Sequence, residues 1–375
     1  MSLRNGYQVR PLGIWLMPLI VLMAARPAAP VCPSGARLLA QGHLQQARAR
    51  YEACVGSSPT AADLRGLAKV YSRLADYPKA ILAYREAIAL DSGNPNAYLK
   101  LGVVLIKAQR YGDAVPELGR AMLLNPGDAH TRLLLAMCLF HLKEYELAAI
   151  EADRARAGFR ENPSADFILG SCYLNMGFYG RAVPLLREAL KAGGSAEIRI
   201  VLGEAYLDLH QSRLALREFR QAGEAHPGLP GLDSDIAAAY LTLGNRQMAL
   251  SYYRKALGEA PNDFAANYYM ARRNRLRGRF TKAAGYLARA ERAAPGDPQV
   301  LFEAAELAAH EGDNAKAEHL LRKVLEESPD DIPARILLSQ VYFRSGQTAQ
   351  AKREQAMVTA FQQLQDRGQT NAGRP

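Results

Sequence analysis

From about residue 31 onward the apolar residues recur at helical spacing, in short runs separated by brief polar breaks. Three segments show the arrangement: "YLKLGVVLIKAQRYGDAVPELGRAMLLNP" (98–126), "RIVLGEAYLDLHQSRLALREFRQAGEAHP" (199–227) and "DIAAAYLTLGNRQMALSYYRKALGEAP" (235–261). Each has an apolar helical run, a short break, an alanine, an aromatic residue or leucine four positions later, and a closing proline. The pattern predicts paired helices repeated along the chain.

The alanine sets the period. It falls at Ala47, Ala80, Ala114, Ala148, Ala182, Ala215, Ala249, Ala283, Ala317 and Ala351, always 33 or 34 residues apart. Nine residues before it most units carry a bulky side chain, among them Leu38, Tyr71, Leu105, Leu139, Tyr173, Tyr206, Tyr240 and Tyr342. A bulky residue on one helix needs a small one on its neighbour if the axes are to approach. Tyr77, Tyr111, Tyr145, Tyr179 and Phe280, three before the alanine, mark the start of second helices. Five before it stand Gly42, Gly177, Gly244, Gly278, Gly312 and Gly346, suited to the positive φ that ends a helix. Twelve after it stand Pro59, Pro126, Pro227, Pro261, Pro295 and Pro329, which cannot continue one. Pro78, Pro116 and Pro184 are expected at or within the first turn of second helices, where a missing N–H costs little.

On these residues the chain resembles the tetratricopeptide repeat family, in a form of exported bacterial type. Arg199-x-x-Leu202-Gly203-x-x-Tyr206 with Ala215, Phe219 and Pro227 carries the resemblance, as does Tyr98-x-x-Leu101-Gly102-x-x-Leu105 with Ala114, Leu118 and Pro126. The family's unit is a helix–turn–helix of about 34 residues. The resemblance implies an all-α, right-handed α-solenoid of about ten such repeats. They would occupy residues 31–365, with the amphipathic stretch 352–368 as a terminal cap and a disordered tail over 366–375.

Composition adds a direction. The chain has 375 residues, 49% hydrophobic and 22% charged, with a formal net charge of +10, which favours anionic partners or surfaces. Residues 1–30 read as a signal peptide or N-terminal anchor: Arg4 and Arg10 precede the uncharged run "LGIWLMPLIVLMAA" (12–25), shorter than an ordinary membrane span. This predicts a periplasmic or secreted protein, anchored by the N-terminal segment if uncleaved. Cys32 and Cys54 fall near the same end of the first helix pair, and two readings fit them: a disulfide in an exported protein, or two small buried apolar side chains. Cys138 and Cys172 occupy one register of adjacent repeats and are expected in the core.

Catalytic chemistry is sparse. No metalloprotease, phosphate-loop or nucleophile-elbow motif occurs. His130 and His141 share a helix face but lie about 16 Å apart along it. No enzyme activity, cofactor or metal is expected. The family resemblance implies binding instead, on a groove lined by the first helices of successive repeats. Helical spacing then places Arg65, Lys69, Arg73, Lys100 and Lys107 on a basic N-terminal part and Met137, Phe140, Phe167 and Leu174 on an apolar middle. Glu204, Asp208 and Asp235 follow, then Tyr268, Arg272 and Arg275, then Phe302, Glu303 and Glu306. The expected partner is a protein or peptide segment; an acidic polysaccharide is the alternative, and the signal argues against nucleic acid. "ARRNRLRGRF" (271–280) divides by register: Arg272 and Arg275 face the groove, with Glu303 and Glu306 as ready partners for Arg272, while Arg273, Arg277 and Arg279 are surface residues. Asn274 is a polar exception in the bulky column, either loosening its repeat or hydrogen-bonding a neighbour.

Overall fold

The computed structural model describes residues 32–158 and 163–372, with side chains as far as residue 363. The expected signal or anchor at 1–30 lies outside the described residues, as do residues 373–375 of the expected tail. Among the described residues no helix is long and apolar enough to cross a membrane.

Every described regular element is an α-helix, and the helices pair. The chain forms two compact units that part between Asn125 and Pro126. In the first unit α1 (Pro33–Ala40) pairs with α2 (Leu44–Ser57), α3 (Ala61–Arg73) with α4 (Tyr77–Leu90), and α5 (Pro95–Lys107) with α6 (Tyr111–Leu124). The second unit opens with α7 (Ala129–His141) and α8 (Tyr145–Gly158), α9 (Pro163–Asn175) and α10 (Tyr179–Lys191), then α11 (Ala196–Asp208) and α12 (Ser212–Ala225). It continues with α13 (Leu232–Thr242) and α14 (Arg246–Glu259), then α15 (Phe264–Arg275) and α16 (Phe280–Ala293). α17 (Pro298–Glu311) with α18 (Asn314–Glu327), and α19 (Ile332–Arg344) with α20 (Thr348–Ala372), complete it. Each pair is one helix–turn–helix repeat, in the phase set by the alanine column, and the fold is an all-α repeat solenoid.

Short polar side chains start many of these helices by accepting orphan N–H groups. Thr60 accepts from Asp63 N, Asn94 from Ala97 N, Asp263 from Ala266 N and Asp331 from Ala334 N. The turn inside each repeat ends on a left-handed residue. Gly42, Gly177, Gly244, Gly278, Gly312 and Gly346 take φ of 68–84° there, and the other four repeats force Ala75, Gln109, Lys143 and His210 into the same region at 57–64°. The turn geometry therefore belongs to the repeat and overrides the residue.

Two columns make the core. Nine of the ten anchor alanines are 0% exposed and Ala283 is 3% exposed. The second column lies twelve residues earlier on the first helix, where Gly35, Ala68, Gly102, Ala136, Gly170, Gly203, Ala237, Ala271, Ala305 and Ser339 are all small and buried. The side chain four after the anchor sits on this spot. A Cβ on Gly203 would lie 2.4 Å from the Phe219 ring, one on Gly102 2.6 Å from Leu118, and one on Gly170 2.9 Å from Leu186. Burying each such leucine or phenylalanine contributes about 1.5–3 kcal/mol.

Polar links hold register. An arginine sixteen before the anchor meets a glutamate three after it in three repeats: Arg132 and Glu151 at 2.9 Å, Arg199 and Glu218 at 2.9 Å, Arg335 and Glu354 at 2.6 Å. Three of the tyrosines nine before the anchor reach back to the preceding repeat, Tyr71 donating to Glu52 at 2.7 Å, Tyr240 accepting from Arg220 at 2.5 Å and Tyr342 accepting from Arg322 at 3.2 Å.

Three local expectations are adjusted. Pro116 and Pro184 lie inside α6 and α10, one turn deeper than expected, each five residues past the helix start at Tyr111 or Tyr179. The carbonyls facing the missing N–H belong to Gly112 and Gly180, whose freer backbone can tilt them away from the ring. Asn274 is 3% exposed and donates to Met270 O within its own helix at 2.7 Å, so no neighbour is needed to satisfy its amide N–H. α20 runs on to Ala372, past the expected start of the tail at 366.

Candidate functional site

The first unit has a cavity of about 560 Å³ whose walls come from α1, α3 and α5, the first helices of its three repeats. Arg65, Lys69, Arg73, Lys100 and Lys107 all line it. They share one wall because 65, 69 and 73 are one turn apart on α3, as 96, 100, 103 and 107 are on α5. Tyr51 and Tyr84, each 4% exposed, form the floor. Gly66 lets Tyr51 in, since a Cβ there would lie 2.4 Å from the phenol ring. Burial raises the Tyr84 hydroxyl to about 12, and burial with a lesser contribution from Asp63 also raises that of Tyr51, so both stay neutral.

The charges are unbalanced. Arg65 pairs with Asp91 at 3.2 Å, and Arg73 donates to the Leu39 carbonyl at 3.1 Å. Lys69, Lys100 and Lys107 are exposed and have no ion pair among the described residues. Asp63 is turned away, 1% exposed and occupied by the Cys32 N–H at 2.6 Å and the Thr60 hydroxyl at 2.7 Å. Three uncompensated ammonium groups and two guanidinium groups around an apolar floor can hold carboxylates beside apolar side chains. The cavity also includes Asn96, Val103 and Val104, which sequence reasoning passed over; Asn96 stands one turn before Lys100 and was within reach of the same spacing rule.

In the second unit the expected residues are placed differently. Phe140 is half-buried with its ring against Tyr145 of its own repeat, centroids 5.5 Å apart. Phe167 and Leu174 pack on the core around Leu202 and Phe219. Glu204, Asp208 and Asp235 do gather: burial raises all three carboxyls, Asp208 adds to Glu204, and Glu204 with Asp263 carries Asp235 to about 7. Tyr268 stacks on Phe264, centroids 6.2 Å apart.

The arginine assignment holds for Arg272 with Glu303 and is corrected for Glu306. Both glutamates lie closer to Arg275, whose Nε lies 2.7 Å from Glu303 and whose Nη1 lies 2.9 Å from Glu306. Arg272 reaches Glu303 only at 3.6 Å and stays 59% exposed. The side chain seven residues into α15's stripe, at 275, stands nearer the next helix than the one at 272, and this distance decides the pairing.

Cys32 and Cys54 are joined as a disulfide between the start of α1 and the end of α2, with Cα atoms 6.2 Å apart. Cys138 and Cys172 are free and buried, and burial pushes both thiols to about 12. Among the described residues no group of three or more His, Cys, Asp or Glu side chains could hold a metal ion.

A family model described as "Tetratricopeptide repeat" matches residues 99–166, 167–230, 234–298 and 277–332, which together make up more than half of the chain. A "TPR repeat" model matches 68–109, and a further "Tetratricopeptide repeat" model matches 308–370. Among curated proteins, Anaphase-promoting complex subunit 3 of Schizosaccharomyces pombe is 27% identical over 146 residues, 38% of this chain and 22% of that protein. The chain thus spans about a fifth of that relative's length. Among solved structures, YrrB, titled a TPR protein with an unusual peptide-binding site, is 20% identical with a TM-score of 0.42, over 49% of this chain and 95% of that one. An IFIT1 monomeric mutant with Gppp-AAAA is 16% identical with a TM-score of 0.49, over 87% of this chain and 79% of that one.

Proposed function

This chain belongs to the tetratricopeptide repeat family, and on that premise we propose that it is a non-catalytic scaffold binding an acidic peptide segment of a partner protein. The observation that carries the reading is the first unit's cavity, where Lys69, Lys100 and Lys107 have no acidic partner among the described residues, above a floor of Tyr51 and Tyr84. Repeat arrays of this kind present side chains from successive first helices to an extended segment. The apolar floor gives such a peptide more than charge to hold. The relative's name makes it a subunit of a complex, which supports assembly as the general role.

The proposal includes export. The basic start, the uncharged run at 12–25 and the Cys32–Cys54 disulfide support it, because disulfides persist in oxidising compartments. An alkaline phosphatase fusion after residue 60 reports export by its activity, and the mass of the mature N-terminus reports cleavage. An inactive fusion that is stably produced would overturn this part.

The binding is tested on full-length protein against an envelope extract at two ionic strengths. A protein partner should be retained at both, because burial of apolar side chains is not screened. Lys69→Glu with Lys107→Glu should lower its retention at least tenfold. Retention of acidic polysaccharide alone, and only at low salt, would instead identify a polymer binder and overturn the peptide reading.

A further inference from the structure

The three arginines set aside as surface residues, Arg273, Arg277 and Arg279, line two cavities of the second unit in which no acidic residue takes part. The larger, about 820 Å³, brings Arg246, Arg272, Arg273 and Arg277 together with Leu241, Leu250, Leu276 and Tyr269. The smaller, about 420 Å³, brings Arg254, Arg273, Arg279 and Lys282 around Met270 and Tyr286. Arg273 is common to both, so they flank a single side chain.

These cations are unlike others in this unit. Arg132, Arg199, Arg275 and Arg335 each have a carboxylate within 3 Å. Arg246, Arg254, Arg273, Arg277, Arg279 and Lys282 have no ion pair or side-chain hydrogen bond among the described residues. Like charges gathered this way repel one another in the free protein, and a bound anion relieves the repulsion. Burial, and then the charges of Arg277, Arg254 and Arg279, pull the Arg273 guanidinium below its ordinary value, with Tyr269 opposing.

We propose that these two cavities, which flank Arg273 between the seventh and eighth repeats, form one docking site for a peptide segment that carries carboxylates beside a leucine-like side chain. Guanidinium forks match carboxylates in pairs. The apolar part selects among anions. Leu276 is 68% exposed and Leu241 and Leu250 are half-buried, so the larger cavity offers aliphatic surface that a sulfated or phosphate polymer would leave unused. Tyr269 already stacks on Tyr253 at 4.4 Å, which takes one of the ring faces a nucleobase would need. The site draws on the second unit alone and is distinct from the cavity of the first unit.

The test uses the full chain carrying Lys69→Glu and Lys107→Glu, which silences the first unit's cavity. The probes are a fluorescein-labelled peptide alternating Glu-Asp with Leu-Leu, poly-glutamate of equal charge, and heparin. In that background the leucine peptide should bind, and Arg273→Glu with Arg277→Glu should weaken it at least tenfold. Because those two side chains are exposed or half-exposed, loss of fold is not expected; circular dichroism checks it. Leu276→Ser, at a solvent-facing position, should weaken the leucine peptide severalfold and leave poly-glutamate unchanged. Unaltered binding in the arginine double variant would overturn the proposal. So would heparin binding tighter than the peptide with no effect of Leu276→Ser, which would identify a polymer site. Loss of the extract partner in the lysine variant with peptide binding here intact would leave the two sites independent, as inferred.

Discussion

Arg275 and Glu303 tie the eighth repeat to the ninth, with Nε 2.7 Å from Oε2 and side chains 16% and 4% exposed. The carboxylate is out of water and its nearest compensation is this guanidinium, with Arg272 farther off at 3.6 Å. Removing one partner of such a pair costs about 3 kcal/mol or more, because the other stays buried and uncompensated. Arg275→Ala is expected to lower stability by that amount in urea unfolding. Arg272→Ala, 59% exposed and 3.6 Å from the same carboxylate, should cost under about 0.5 kcal/mol.

Asp235 makes stability depend on pH. Burial and the neighbouring Glu204 and Asp263 raise its carboxyl from 3.8 to about 7 in the folded chain. The folded state therefore holds a proton that the unfolded state releases, and stability falls as pH rises from about 4 to 7. The loss is at most about 4 kcal/mol, from three units at about 1.4 kcal/mol each. Asp235→Asn should be more stable than the parent at pH 8 and similar to it at pH 4.5, measured by urea unfolding at the two values.

Lys143, Gln109 and His210 hold φ near 60° where six sister repeats use glycine. A side chain there costs about 1 kcal/mol, partly offset by the extra freedom glycine has when unfolded. Lys143→Gly should raise the thermal midpoint slightly. The reverse change, Gly244→Ala, should lower it, though nothing within 4 Å would touch the added methyl.

Gly203 and Gly119 separate space from conformation. Both are helical glycines. Gly203→Ala would set a Cβ 2.4 Å from the ring of Phe219, itself 0% exposed, and should cost about 1–3 kcal/mol. Gly119→Ala meets nothing within 4 Å and should stabilise by about 0.5–1 kcal/mol. Chemical denaturation of the two variants should give opposite signs.

Much of this architecture was legible in the chain itself. The alanine period placed all ten repeats, and the glycines marked six of ten turns. The other four were hidden because Ala75, Gln109, Lys143 and His210 have no local reason to be left-handed; packing of the two helices imposes it. Basic residues on α3 and α5 were found because spacing of four and seven on a helix keeps side chains on one wall.

The amino-acid sequence by itself determined which faces are buried and how often the unit repeats, since helical periodicity and side-chain volume are properties of the chain. Which charges are spent and which are free was decided only by the tertiary structure. Two arginines three residues apart, Arg272 and Arg275, look equivalent in sequence, yet Arg275 is held by two glutamates and Arg272 stays exposed. Arg273, Arg277 and Arg279, which register put on the surface, meet Arg246, Arg254 and Lys282 with no carboxylate among them. Pairing depends on distances of 3–4 Å between side chains on different helices, and those distances exist only once the helices are packed.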